Sequence, residues 1–114
     1  MSTAWVFLGG GLGAVARYGL TLVFVRPTAT LAANLLGSLL LALVASSPLV
    51  MDHRYRLLVG VGLLGGFTTY STFNLELLEL IAEGTYRSAV GYWALTTASC
   101  LAGGGVGIWI ASRF

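Results

Sequence analysis

Four long apolar segments dominate the 114-residue chain, at roughly residues 4–24, 30–50, 57–82 and 89–111. A helix that spans a bilayer needs about 20 apolar residues, and each segment is long enough. Charged residues make up 9% of the chain, against about 25% in a soluble domain, and a soluble fold of this size could not cover so much apolar surface. The sequence predicts an all-α membrane protein in which residues 1–114 form one transmembrane domain of four helices.

The start of the chain and its basic residues give two further expectations. Residues 1–3 carry no basic side chain, so the first segment is expected to stay in the mature protein and not to be cleaved as a signal peptide. The six arginines are spread through the chain without a basic patch, and there is no lysine. Nucleic acid is therefore not an expected partner, whereas the lipid bilayer is.

The arginines are balanced between the two ends of the predicted helices. With the chain termini on one side, three arginines share that side and three lie at or near the other: Arg54, Arg56 and Arg113 against Arg17, Arg26 and Arg87. The positive-inside rule then favours neither orientation. We expect dual topology, with oppositely inserted copies paired as an antiparallel homodimer.

The third segment contains an interruption at residues 65–74, GGFTTYSTFN. Paired glycines and β-branched threonines lower helix propensity, and hydroxyl groups can bond backbone groups that an interruption frees. Lipid cannot satisfy such groups, so a break at that depth must be buried by protein or must line a wet cavity. We predict that the third helix is broken at mid-membrane and that the break belongs to a site.

Three motifs together resemble one family. Residues 65–73 (GGFTTYSTF) look like the signature of the Fluc (CrcB) family of fluoride channels, and residues 13–18 (GAVARY) and 30–37 (TLAANLLG) fit it in the right order. The resemblance covers nearly the whole chain. It implies a passive, fluoride-selective channel that exports F⁻ from the cytoplasm across the inner (plasma) membrane and lowers fluoride toxicity. It also implies an antiparallel homodimer with two pores at its interface.

Polar and aromatic residues of the second, third and fourth segments are the pore candidates. Asn34 and Ser38 share one helical face, as do Tyr92 and Thr96. Amide donors and the positive edges of aromatic rings can replace part of an anion's hydration shell. Read with the resemblance, the fluoride pore is lined by Asn34, Ser38, Tyr70, Thr72, Phe73, Tyr92 and Thr96.

Tyr70 departs from the family pattern, which has phenylalanine at both positions that Tyr70 and Phe73 match. The ring edge remains available, but the hydroxyl group adds a donor and bulk that can hold the ion more tightly, narrow the path or alter the rate. If the hydroxyl group bonds a neighbour instead, the change is conservative. Cys100 is a second departure, since the family often has a hydroxyl group there.

Arg17 and the carbonyl groups of the break complete the predicted site. Arg17 lies in the second half of the first segment, where it either snorkels to the interface or forms an electropositive vestibule that concentrates anions. The resemblance supports an arginine at the mouth of the pore. It also implies a structural Na⁺ at the dimer interface, held by the backbone carbonyls of Gly65 and Thr68 from both copies.

The acids of the third segment lie after the break. Glu76, Glu79 and Glu83 recur at helical spacing and share one face. The simplest interpretation is a wet or paired helix end. Acids repel an anion, so they are not placed in the narrow part of the pore.

The alternative function is a small multidrug-type, proton-coupled exporter, a class of similar size. That class needs an acid in its first helix, where this chain has Arg17 and no acid. Glycine motifs at residues 9–14 and 60–65 lack the alternating strands and helices of a dinucleotide fold, and close helix packing explains them better. The sequence contains neither a nucleophile paired with a base nor a metal-ligating cluster or cofactor motif, so it does not predict an enzyme.

Overall fold

The computed structural model describes residues 2–46 and 52–113, and helix is the only regular structure in these ranges. Helix α1 spans Ser2–Val23 and α2 spans Thr28–Ser46. Helix α3 covers residues 53–67 in three successive parts: His53–Tyr55, Arg56–Leu64 and Gly65–Phe67. Helix α4 spans Ser71–Ala82 and α5 spans Tyr86–Ala111. The predicted end of the second segment, at residue 50, lies outside the described residues.

Three of these helices, α1, α2 and α5, are long and apolar enough to cross a membrane. Large apolar side chains point outward from α1 and α5, with Phe7 85% exposed and Leu101 73% exposed. An extensive outward apolar surface is suited to lipid and not to water. The chain is therefore a helical membrane protein, as the sequence predicted.

Helices α1 and α3 pack backbone against backbone. A Cβ atom at Gly9 would meet the carbonyl oxygen of Leu58, and one at Gly13 would meet the carbonyl oxygen of Leu63 and lie 2.8 Å from the amide nitrogen of Phe67. Backbone atoms cannot move aside as a flexible side chain can, so only glycine permits these approaches. This confirms close helix packing at Gly9 and Gly13 of the first motif.

The part of α3 that faces these glycines is a wide helix. Arg56–Leu64 is π-helical, and the N–H of Gly65 bonds the carbonyl of Gly60, five residues earlier. Such turns are rare and usually short. The backbone groups of this wide stretch nevertheless find partners within their own helix.

Helix α5 packs on α2 and is joined to α4 by a tight turn. A Cβ atom at Gly107 would lie 3.0 Å from the amide nitrogen of Leu43, so glycine again allows close approach. In the turn, Gly84 has φ +77°, and the N–H of Thr85 bonds the carbonyl of Leu80 at 3.0 Å. This left-handed glycine cap ends α4 and sets the position of α5.

Candidate functional site

The chain breaks between α3 and α4, within the stretch that the sequence singled out. Thr68 is extended, with φ −86° and ψ 154°. The side-chain amide of Asn34 forms two hydrogen bonds with the backbone of Thr69. The N–H of Thr69 donates to Oδ1 of Asn34 at 2.7 Å, and Nδ2 of Asn34 donates to the carbonyl of Thr69 at 2.8 Å. Asn34 on α2 thus replaces the helix as the partner of this peptide.

This exchange of partners frees a carbonyl group on the exposed side of the break. In an uninterrupted helix the N–H of Thr69 would bond the carbonyl of Gly65. Here the hydroxyl group of Thr68 approaches that carbonyl at a long 3.5 Å, and Gly65 is exposed. Within the described ranges the carbonyl of Thr68 accepts no backbone N–H. Oxygen atoms of an unwound helix are typical ligands of Na⁺.

A cavity of about 290 Å³ lies beside the break. Helices α2, α4 and α5 contribute amide, hydroxyl, thiol and aromatic groups to its wall, which is formed by Asn34, Ser38, Thr68, Thr69, Tyr70, Phe73, Thr96, Thr97 and Cys100. None of these lining side chains carries a full charge. The structure therefore brings together most of the residues that the sequence predicted for the pore.

Two polar groups of the cavity wall have hydrogen-bonding capacity to spare. Thr96 is 6% exposed, and its Oγ1 has no partner in the part of the chain that the structure describes. Asn34 has a second N–H on Nδ2 that its bond to Thr69 does not use. Leaving a buried polar group unpaired costs about 1–3 kcal/mol, so the cavity favours an occupant that accepts hydrogen bonds.

Aromatic rings lead from the cavity into the protein. The ring centroids of Tyr70 and Phe73 lie 5.9 Å apart, and those of Phe73 and Tyr92 lie 5.1 Å apart with planes at 67°. Phe73 is 5% exposed and Tyr70 66% exposed. Phe73 is thus fixed inside the bundle, whereas Tyr70 extends from the surface of this one chain.

A carboxylate whose burial the sequence did not predict lies beyond the aromatic rings. Glu76 is 4% exposed. Its Oε2 accepts hydrogen bonds from Nε of Arg26 and Oγ1 of Thr30, both at 3.0 Å, and its Oε1 accepts one from the hydroxyl group of Tyr92 at 2.8 Å. Of the wet or paired helix end predicted for these acids, Glu76 shows the paired alternative, with its carboxylate buried. The signal was its spacing from Phe73, because residues three apart share a helical face.

The remaining predicted residues lie in different places. Arg17 and Thr72 line a separate pocket of about 180 Å³, together with Arg26 and Thr30. Tyr92 lines neither this pocket nor the larger cavity and is buried against Glu76. The predicted pore residues are thus divided between the larger cavity, the arginine pocket and the buried carboxylate.

An outwardly apolar helical fold around an uncharged, donor-rich cavity defines a membrane protein with a polar path for small ions. The family described as CrcB-like protein, Camphor Resistance (CrcB), matches residues 4–108. The chain belongs to this family, as its motifs predicted.

Several relatives match most of the chain and share one name, fluoride-specific ion channel FluC. The relative from Sorangium cellulosum is 36% identical, with 96% of this chain and 93% of the relative covered. That from Phocaeicola vulgatus is 38% identical, with 93% and 94% covered. That from Erythrobacter litoralis is 43% identical, with 83% and 80% covered.

Proposed function

We propose that the protein is a passive channel for fluoride and not an enzyme. The observation that carries this proposal is the cavity beside the break, where Asn34 and Thr96 offer hydrogen-bond donors among uncharged groups. Conduction requires binding strong enough to replace the ion's water and weak enough to release it. Amide and hydroxyl donors with aromatic ring edges meet that requirement, because none supplies a full counter-charge. The family membership and the name of the relatives support the same function.

The multidrug-type exporter is not favoured. Helix α1 carries no acid to exchange protons for a cationic drug. The relatives share the name of a fluoride-specific channel. Passive export of F⁻ from the cytoplasm across the inner (plasma) membrane, which lowers fluoride toxicity, is the cellular role that we propose.

The working unit in this proposal is an antiparallel homodimer of dual topology. Arginines balanced between the two ends of the chain support it. Tyr70 and Gly65 are exposed beside the break although both belong to the predicted site, so a second copy would cover them. In this arrangement α3 and α4 together form the third of four crossings, broken at mid-membrane, and the paired breaks border two pores.

A structural Na⁺ between the two copies completes this arrangement, and the residues present suit it. The carbonyls of Gly65 and Thr68 lack backbone N–H partners from the uninterrupted helix. A cation there would neutralise carbonyl dipoles that the break leaves exposed. We expect the dimer in detergent to dissociate more readily when Na⁺ is replaced by N-methylglucamine than when Na⁺ is kept, as read by crosslinking or light scattering. Equal dissociation in both solutions would contradict the site.

The test of the function is efflux from liposomes that contain the purified protein, with fluoride and chloride compared. We expect rapid release of fluoride and little of chloride. Phe73→Ile should lose most of the fluoride release, because an aliphatic side chain has no positive ring edge to offer. Phe7→Ile is the matched control, since Phe7 is 85% exposed on the outer face of α1. A folded wild type that retains fluoride would contradict the proposal.

A further inference from the structure

A buried acid, Glu76, lies next to the aromatic rings beside the cavity. Phe73 borders the cavity beside the break, its ring contacts that of Tyr92, and the hydroxyl group of Tyr92 donates a hydrogen bond to Glu76. Side-chain contacts through Phe73 and Tyr92 therefore connect the cavity to a buried carboxylate. A lone carboxylate at this point would repel an approaching anion, and the repulsion would be much stronger than in water because the site is buried.

One arginine compensates this acid. Nε of Arg26 lies 3.0 Å from Oε2 of Glu76, and Arg26 is the base that reaches this carboxylate within the described ranges. Its side chain is 48% exposed, whereas that of Glu76 is 4% exposed. The guanidinium group thus covers the acid from the outside and keeps one face toward solvent. Glu79 lies farther away, at 3.9 Å from Nη2, and leaves the stronger contact to Glu76.

The position of Arg26 also suits the entrance of an ion path. It belongs to the turn between α1 and α2 and borders two small pockets. One pocket contains Glu79 and Glu83, and the other contains Arg17 and Thr72. Arg26 therefore lines both an acidic pocket, whose wall also includes Glu76, and a basic pocket.

We propose that Arg26 is a positioning residue for ion passage: by pairing with Glu76 it removes the negative charge that would otherwise close this end of the path to anions. This rests on the proposed function. The role differs from attraction of anions by a vestibule arginine, because Arg26 acts through the carboxylate that it neutralises. Its loss should therefore change the charge selectivity of the path as well as its rate.

The experiment compares fluoride efflux and the reversal potential in a potassium fluoride gradient for wild type, Arg26→Gln and Arg26→Lys. Arg26→Gln should lower the fluoride flux about tenfold or more, since close charges interact strongly at a buried site. Its reversal potential should move toward that of K⁺, a shift that a purely structural defect would not produce. Arg26→Lys keeps the charge and should retain most of the flux and the wild-type potential.

Arg54→Gln is the matched control. Arg54 also pairs with an acid, at 2.9 Å from Asp52, but both side chains are exposed, at 61% and 44%. The Arg54 guanidinium lowers the pKa of Asp52 through its hydrogen bonds, so this is a formed ion pair far more accessible to water. Its loss should leave flux and reversal potential unchanged.

A double variant separates compensation from other effects. In the Glu76→Gln background the buried carboxylate is gone and only the exposed acid Glu79 remains near Arg26, so adding Arg26→Gln should cause no further shift of the reversal potential. If the wild type conducts and Arg26→Gln leaves the flux and reversal potential unchanged, the proposed role of Arg26 is wrong, whereas the proposed channel function stands. If Arg26→Gln does not fold, the folded Arg26→Lys variant tests the proposal. Wild-type flux in Arg26→Lys supports neutralisation of Glu76 by a positive charge, and lost flux overturns it. A folded wild type without flux would overturn both proposals.

Discussion

The segment from residue 53 to residue 82 departs from the α-helix twice, and the two departures behave differently. In the first, Arg56–Leu64 widens to a π-helix, yet its backbone bonds stay within the helix. In the second, at Thr68 and Thr69, the helix stops and the backbone of Thr69 bonds a side chain of α2. The first departure packs against glycines of α1. The second borders the cavity.

This contrast shows what turns an irregular helix into a site. Where an irregular stretch satisfies its own backbone, it changes only the fit between helices. Where it takes a partner from elsewhere, it leaves other groups without one, here the carbonyl of Gly65, and it brings polar side chains to the same place. The first region should therefore fail through loss of folding, and the second through loss of conduction.

The largest effect should come from the packed region. Gly13→Ala would place a Cβ atom against the carbonyl of Leu63, and we expect a loss of about 3 kcal/mol or more, the upper range for forcing atoms into a packed contact. Gly11→Ala is the control, since a Cβ atom there has no neighbour within 4 Å, and we expect a change within about 1 kcal/mol. Thermal unfolding in detergent measures both. Equal unfolding temperatures would contradict the backbone contact.

The next effect concerns the break. Asn34→Leu leaves the N–H and carbonyl of Thr69 without their partner, and each unpaired buried group costs about 1–3 kcal/mol. We expect the variant to lose fluoride efflux more completely than it loses stability. Asn74→Leu, the same change on an exposed amide of α4, should conduct like wild type. An Asn34→Leu variant that conducts normally would show that the break needs no anchor from α2.

The smallest effect should come from Tyr70, which is 66% exposed in one chain. Tyr70→Phe keeps the ring and its edge but removes one hydroxyl group. Fluoride efflux should change by no more than about tenfold, because one hydrogen bond contributes about 0.5–1.5 kcal/mol. A larger fall would show that the hydroxyl group is required for passage, and a larger rise would show that it obstructs the path.

The helical membrane fold and the position of the break could be predicted because both follow from local composition. Long apolar runs require helices in lipid, and the residues around Thr68 disfavour a helix in any context. The grouping of Asn34, Phe73 and Thr96 around one cavity could be predicted only with the resemblance, since it depends on how three helices meet.

Other features depend on contacts between distant residues, which local patterns in the sequence do not identify. Two hydrogen bonds between Asn34 and Thr69 join α2 to the break. Neither residue alone indicates them. Burial of Glu76 depends on Arg26 and Thr30, which precede it by 50 and 46 residues. The spacing of the acids among themselves does not distinguish Glu76 from the exposed Glu79; only its position three residues after Phe73 does.

The bond between Asn34 and Thr69 also bears on redesign of the protein. Asn34 lines the cavity and at the same time fixes the main chain of the break, so altering it to admit another ion also removes an anchor. Thr96 lies in continuous helix, and its hydroxyl group binds no other described part of the protein. An engineer who seeks a different ion preference should therefore begin at Thr96 and leave Asn34 unaltered.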